Sequence, residues 1–168
     1  MKVEKHKAII YTRISTDDEQ QNIKQQKEYC KKYAEKEGYD VIHTIGDKVS
    51  GKIPIRERSG GKRMLQFLER NPEVHLIVQD IDRICRDYYD SVWFEKFVIE
   101  NKIMIKSLSE TVDFSNPMGK FTFRIKMAMN AFYVENLHEK IKIGVARAKA
   151  EGKYKGRKKG ALNKKRKI

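Results

Sequence analysis

Ser15 follows a short apolar run, Ala8-Ile9-Ile10, with Arg13 two residues before it. Far downstream, Asp82-Arg83-Ile84-Cys85-Arg86-Asp87 follows a second run, Leu76-Ile77-Val78. If both runs are strands of one parallel sheet, a hydroxyl and the guanidinium groups of Arg13, Arg83 and Arg86 emerge at one edge. Ligands of such sheets bind beyond the carboxyl ends of the strands. A hydroxyl ringed by arginines suits attack on a phosphodiester, because the transition state gathers negative charge on the phosphate oxygens. Arginine fits that task through its planar fork and its permanent charge. Asp47, after a further short run at Val41-Ile42-His43, should reach the same edge, and Asp82 or Asp87 could orient an arginine or handle a proton.

Each feature also has a plainer reading. A serine after a strand commonly caps a helix or closes a turn. An Asp-Arg-x-x-Arg-Asp run is commonly a solvated ion-pair cluster, and Gln21 and Gln26 read by default as surface residues. No Walker or GxGxxG pattern occurs, and His6, His43, His75 and His138 are scattered, so neither a phosphate loop nor a histidine-activated serine has support.

The positioning elements follow from patterning. Strands are expected at 8–11, 41–43, 74–78 and 103–108, and helices at about 22–37, 63–69 and 88–100, with Gly38 capping the first. Alternation of this kind predicts an α/β fold with a mostly parallel central sheet of four to five strands flanked by helices. Residues 51–61, with boundary glycines, Pro54 and alternating charges, read as a mobile loop. From Met118 to Ala150 there is no proline, and apolar residues recur at Phe121, Ile125, Met129 and Phe132, then at Leu137, Ile141 and Val145. One helix over that span would be about 50 Å long. Its apolar face exceeds what one small domain covers, which predicts oligomerisation through it; two shorter helices broken near Asn136 or Gly144 are the alternative.

Charge is concentrated at the end of the chain. Of the net +14, residues 147–168 carry 11 Lys or Arg against one acid, Glu151. Such a segment favours a polyanion. The expected organisation is a catalytic domain over 1–117, a long helix over 118–150 and a basic tail over 151–168. No apolar run approaches a membrane span, and Cys30 and Cys85 fit reduced thiols in a cytoplasmic protein.

Taken together, Tyr11-x-Arg13-x-Ser15-Thr16, Asp47-Lys48-x-Ser50-Gly51 and Asp82-Arg83-x-x-Arg86-Asp87 resemble the catalytic domain of the serine recombinases (resolvases and invertases), in order and spacing, over about residues 8–150. The resemblance implies a serine that attacks a DNA phosphodiester, leaving a 5′-phosphoserine link and a free 3′-hydroxyl. It also implies dimers that pair into tetramers on double-stranded DNA, subunit rotation, and rejoining without metal, nucleotide or other cofactor. Carried over by position, Ser15 is the nucleophile, and Arg13, Arg83 and Arg86 bind the scissile phosphate. Asp82 supports the arginines or proton transfer, and Gln21, Gln26, Asp47 and Ser50 match polar positions around the site. Arg58 matches the mobile-loop arginine, with Arg56 competing, and Glu135 matches an acidic position of the long helix. Arg147, Lys155, Arg157, Lys158, Lys159, Lys164, Lys165 and Arg166 resemble the basic junction and linker that contact DNA, along the minor groove.

Three departures stand out. Asn136 replaces a usual arginine, and Cys85 replaces a small residue. Only Gly160–Ile168 stands where the family continues into a helix-turn-helix, so site choice through a separate DNA-reading partner is one expectation. A DNA-binding or assembly module that keeps this fold without recombining is the alternative function, and an α/β small-molecule binder is a third.

Overall fold

A computed structural model describes residues 6–15, 20–109 and 112–153. Its sheet has four strands, all parallel, in the order β2-β1-β3-β4. The strands are β1 (Lys7–Ile14), β2 (Asp40–Lys48), β3 (His75–Val78) and β4 (Ile105–Ser107), and the helices between them are α1 (Gln20–Lys36), α2 (Ser59–Arg70) and α3 (Tyr88–Glu100). Helix α4 (Pro117–Ala150) follows the sheet as a single element, so the two-helix alternative does not hold.

Strand β1 is the centre of the fold, buried over all but its first residue. Its alternating side chains feed two cores, as strand geometry requires. Ile9 and Tyr11 join a large cluster with α2, α3 and the start of α4, while Ala8 and Ile10 meet Cys30 and Ala34 of α1. Helix α1 ends at Gly38, whose φ of +73° is a left-handed conformation suited to glycine.

Both β1 and β2 run further than their apolar residues alone suggest. Gly46, Asp47 and Lys48 pair with Thr12, Arg13 and Ile14. Asp47 therefore sits inside a strand and not in a loop past its end. Hydrogen bonds to the central strand override the poor strand propensity of Gly and Asp. Helix α2 also starts earlier than expected, at Ser59-Gly60-Gly61.

By contact the chain divides into two units, Met1–Ala131 and Phe132–Ile168. In the first, α4 buries Phe123 and Met127 and leaves Phe121, Ile125 and Met129 exposed. In the second, Phe132, Tyr133, Leu137, Ile141 and Ile143 are exposed, as are Glu135 and Arg147. The helix stops at Gly152, where Gly152 and Lys153 donate amides back to Lys149 and Ala148. No described helix is long and apolar enough to cross a membrane.

Candidate active site

The site is built at the carboxyl edge of β1, outward from Arg13. Its residue is only 1% exposed. The Arg13 backbone is held by Gln26 of α1 through a reciprocal pair: its amide donates to Oε1 at 3.3 Å, and its carbonyl accepts from Nε2 at 3.2 Å. The side chain donates to the carbonyls of Val49 (3.2 Å) and Asp82 (3.5 Å). Its Nε is buried without a partner. Burial, followed by the charges of Arg58, Arg83 and Arg86, pushes the Arg13 guanidinium down to about 10.

Arg58 is the second buried guanidinium, also 1% exposed. It donates to the carbonyls of Ile53 (2.8 Å), Arg83 (2.8 Å) and Gly51 (3.5 Å), and to the Tyr11 hydroxyl at 3.3 Å. These bonds tie the 51–58 segment to β1 and to the loop after β3. The segment expected as a loose loop is therefore anchored, with Ile55 fully buried and its amide donating to Asp90 at 3.1 Å. Arg56 is exposed and lies over the Trp93 ring at 5.3 Å, so Arg58 is the arginine of this segment that enters the cluster.

Arg83 belongs to a 3-10 turn, Ile81–Arg83, and donates to the Arg13 carbonyl at 3.4 Å. Its Nε is likewise buried and unpartnered. Arg86, three residues on, lies beyond that turn and is exposed, so the two arginines do not share one helical turn. Gly51 is wedged between the cations: a Cβ there would stand 2.6 Å from Arg86 Cδ and 3.1 Å from Arg13 Cζ. Among the described residues, no carboxylate forms an ion pair with any of the four arginines. Ser15 follows Ile14, the last residue of β1, and is half-buried.

The carboxylates serve other purposes. Asp47 accepts the amides of Gly60 (2.7 Å) and Gly61 (2.8 Å) at the start of α2, and the Tyr11 hydroxyl at 2.8 Å. That makes it an anchor between two strands and a helix start. Asp87 caps α3, accepting from Tyr89 and Asp90. The Asp82 carboxylate accepts from Asn130 of α4 at 3.0 Å, while only its backbone carbonyl meets an arginine. Ser50 is exposed and closes a turn by accepting from the Lys52 amide at 3.3 Å. The Gln21 side chain and Lys155, Arg157, Lys158, Lys159, Lys164, Lys165 and Arg166 lie outside the described residues.

The family "Resolvase, N terminal domain" matches residues 8–154. The chain belongs to the resolvase family of serine recombinases. This recombinase-family chain is 33% identical over 147 residues to a DNA-invertase of Escherichia phage P1, covering 88% of this chain and 73% of the relative. It is 31% identical over 154 residues to the DNA-invertase hin of Salmonella typhimurium, covering 92% and 74%. Among solved structures, the N-terminal catalytic domain of TP901-1 integrase superposes with a TM-score of 0.60 at 31% identity, over 77% of this chain and 97% of that one. A resolvase family site-specific recombinase from Streptococcus pneumoniae, 18% identical with a TM-score of 0.57 over 88% of this chain and 98% of that one, shares the fold.

Sequence reasoning missed three contributors: Gly51 as the gap between cations, Tyr11 as the link between Asp47 and Arg58, and Asn130. Tyr11 and Gly51 stood in the quoted motifs without a role, and odd positions of β1 share a face; Asn130 carried no signal.

Proposed function

We propose that this protein is a site-specific serine recombinase that cuts and rejoins double-stranded DNA through Ser15. The Ser15 hydroxyl attacks a backbone phosphorus, the bond to the 3′ oxygen breaks, and that oxygen leaves as a hydroxyl. The product is a 5′-phosphate ester on Ser15, and reversal by a 3′-hydroxyl from a different end rejoins the strand. The guanidinium groups of Arg13, Arg83 and Arg86 supply the positive charge at the phosphate, so the chemistry is proposed to run without a metal.

One observation carries this reading: four arginines converge around Gly51 and the Arg13 end of β1, two residues before Ser15, and among the described residues none is neutralised by an acid. Such a cluster is costly by itself and is relieved by an anion. Two buried, unpartnered Nε donors, on Arg13 and Arg83, add unused capacity for phosphate oxygens. Within this assignment Arg58 and Gln26 are positioning groups, because their contacts are spent on the protein's own backbone.

The exposed apolar residues of α4 support assembly into a dimer and then a tetramer on DNA. The basic segment from Arg147 onward is proposed to follow the DNA backbone. A Ser15→Ala variant tests the chemistry: it should bind DNA with unchanged affinity and form no covalent adduct. An adduct that persists in the variant would overturn the assignment.

A further inference from the structure

The turn that carries Arg83 is held from two sides. Toward the cations, its backbone carbonyls serve as acceptors: Asp82 O takes a bond from Arg13 and Arg83 O from Arg58. Toward α4, its carboxylates do the work. Asn130 Nδ2 donates to Asp82 Oδ1 at 3.0 Å, and one helical turn earlier Lys126 Nζ lies 3.7 Å from Asp80 Oδ1. Asp80 also accepts the Asp82 amide at 3.0 Å, which caps the turn.

The helix is a firm reference at this point. Phe123 and Met127 are buried, and Arg124 makes a forked bond to the buried Glu95, with contacts of 2.7 and 3.0 Å. The Lys126 pair is partly exposed at 3.7 Å and contributes little by itself. The short bond from Asn130 to a half-buried carboxylate is the stronger tie.

The chemistry of this contact has a direction. Asp82 adjoins Arg83 in sequence, and its own carbonyl touches Arg13, so among the described residues its carboxylate is an acid well placed to neutralise the cluster. The unpartnered Nε–H groups of Arg13 and Arg83 would donate to it. An amide at position 130 gives that carboxylate a partner without adding charge. We propose that Asn130 is a positioning residue that holds the Asp82 carboxylate away from the arginines, keeping their charge available for the scissile phosphate. This rests on the assignment of Ser15 and the arginines made above.

A double-mutant cycle in the full chain tests it, using wild type, Asn130→Ala, Asp82→Asn and the double variant. Each is assayed for the single-turnover rate of adduct formation and for DNA affinity. Losing a hydrogen bond to a charged group should slow cleavage about tenfold or more in Asn130→Ala, with DNA affinity changed less than twofold. In the Asp82→Asn background, with no charge to restrain, the same substitution should change the rate less than twofold. An equal loss in both backgrounds, or no loss in either, overturns the proposal.

A readout without DNA separates this from the parent assignment. In ¹⁵N spectra of the arginine side chains, Asn130→Ala should move the Arg13 or Arg83 Nε resonance, and should not do so once Asp82 is Asn. Unmoved resonances in both backgrounds overturn the role of Asn130. A wild-type chain that forms no adduct while those resonances respond overturns the Ser15 assignment and leaves the Asn130 contact standing.

Discussion

The tightest geometric demand in the site falls on Gly51, and Gly51→Ala measures it. A Cβ at this position would stand 2.6 Å from Arg86 Cδ and 3.1 Å from Arg13 Cζ and Nη2. Ordinary carbon contacts are about 3.5–4.0 Å, so one neighbour must yield by roughly 1 Å. Arg13 is the poorer candidate, because it is buried, clamped at its backbone by Gln26 and bonded to Val49 and Asp82. Arg86 is exposed and can swing aside. The cost in stability should then be small, about 1 kcal/mol by the usual scale of overpacking. The cost in reactivity should be large, because a misplacement of about 1 Å in a preorganised site typically costs about 10²-fold. Quenched-flow measurement of adduct formation on a DNA duplex, beside a denaturant melt and a binding titration, separates the quantities. A cleavage rate within twofold of wild type would refute the claim that Arg86 and Arg13 must both flank this glycine during the reaction.

Two further outcomes are expected. Asp47→Ala leaves two amides at the start of α2 and the Tyr11 hydroxyl without their acceptor; it should cost about 2–4 kcal/mol, and a chemical-denaturation midpoint close to wild type would contradict the anchoring role. His75 stacks on His6 at 5.2 Å and bonds to the Tyr39 hydroxyl; burial first, then His6 and Lys106, lower its proton affinity. Because its folded value lies below the unfolded one, the unfolded chain takes the proton first, so stability should fall as pH drops below about 6.5. Replacing His75 with Phe should flatten that dependence in thermal melts, and an unchanged slope would place the titration elsewhere.

The parts of this fold that were legible are those where side-chain type and backbone period agree. The apolar core of β1, the whole of α3 and the glycine stop after α1 are of that kind. The misreadings have a common physical source: residues whose local preferences are overridden by distant partners. Gly46-Asp47-Lys48 looks like a loop yet extends β2, because β1 offers a ladder to pair with. Gly60-Gly61 looks like a break yet opens α2, because both amides bind Asp47 where a Cβ at 60 would collide with the Asp47 carboxylate and one at 61 with the Ile55 carbonyl. Ile55-Arg56-Glu57-Arg58 looks solvated, yet its two end residues, Ile55 and Arg58, are buried, and Arg58 satisfies carbonyls from separate segments. Ser15, Arg13, Arg83 and Arg86 were findable as a linked set of motifs. The Asn130 bond to Asp82 spans 48 residues and has no local signature.

The central claim is that one hydroxyl oxygen, Ser15 Oγ, forms the bond to DNA phosphorus. Trapping the cleaved intermediate, digesting protein and DNA, and sequencing the nucleotide-bearing peptide by mass spectrometry tests it most directly. The phosphate is expected on Ser15, joined to a 5′ end, with a free 3′-hydroxyl on the complementary fragment. A phosphate carried by any other residue, or a linkage to a 3′ end, would contradict it.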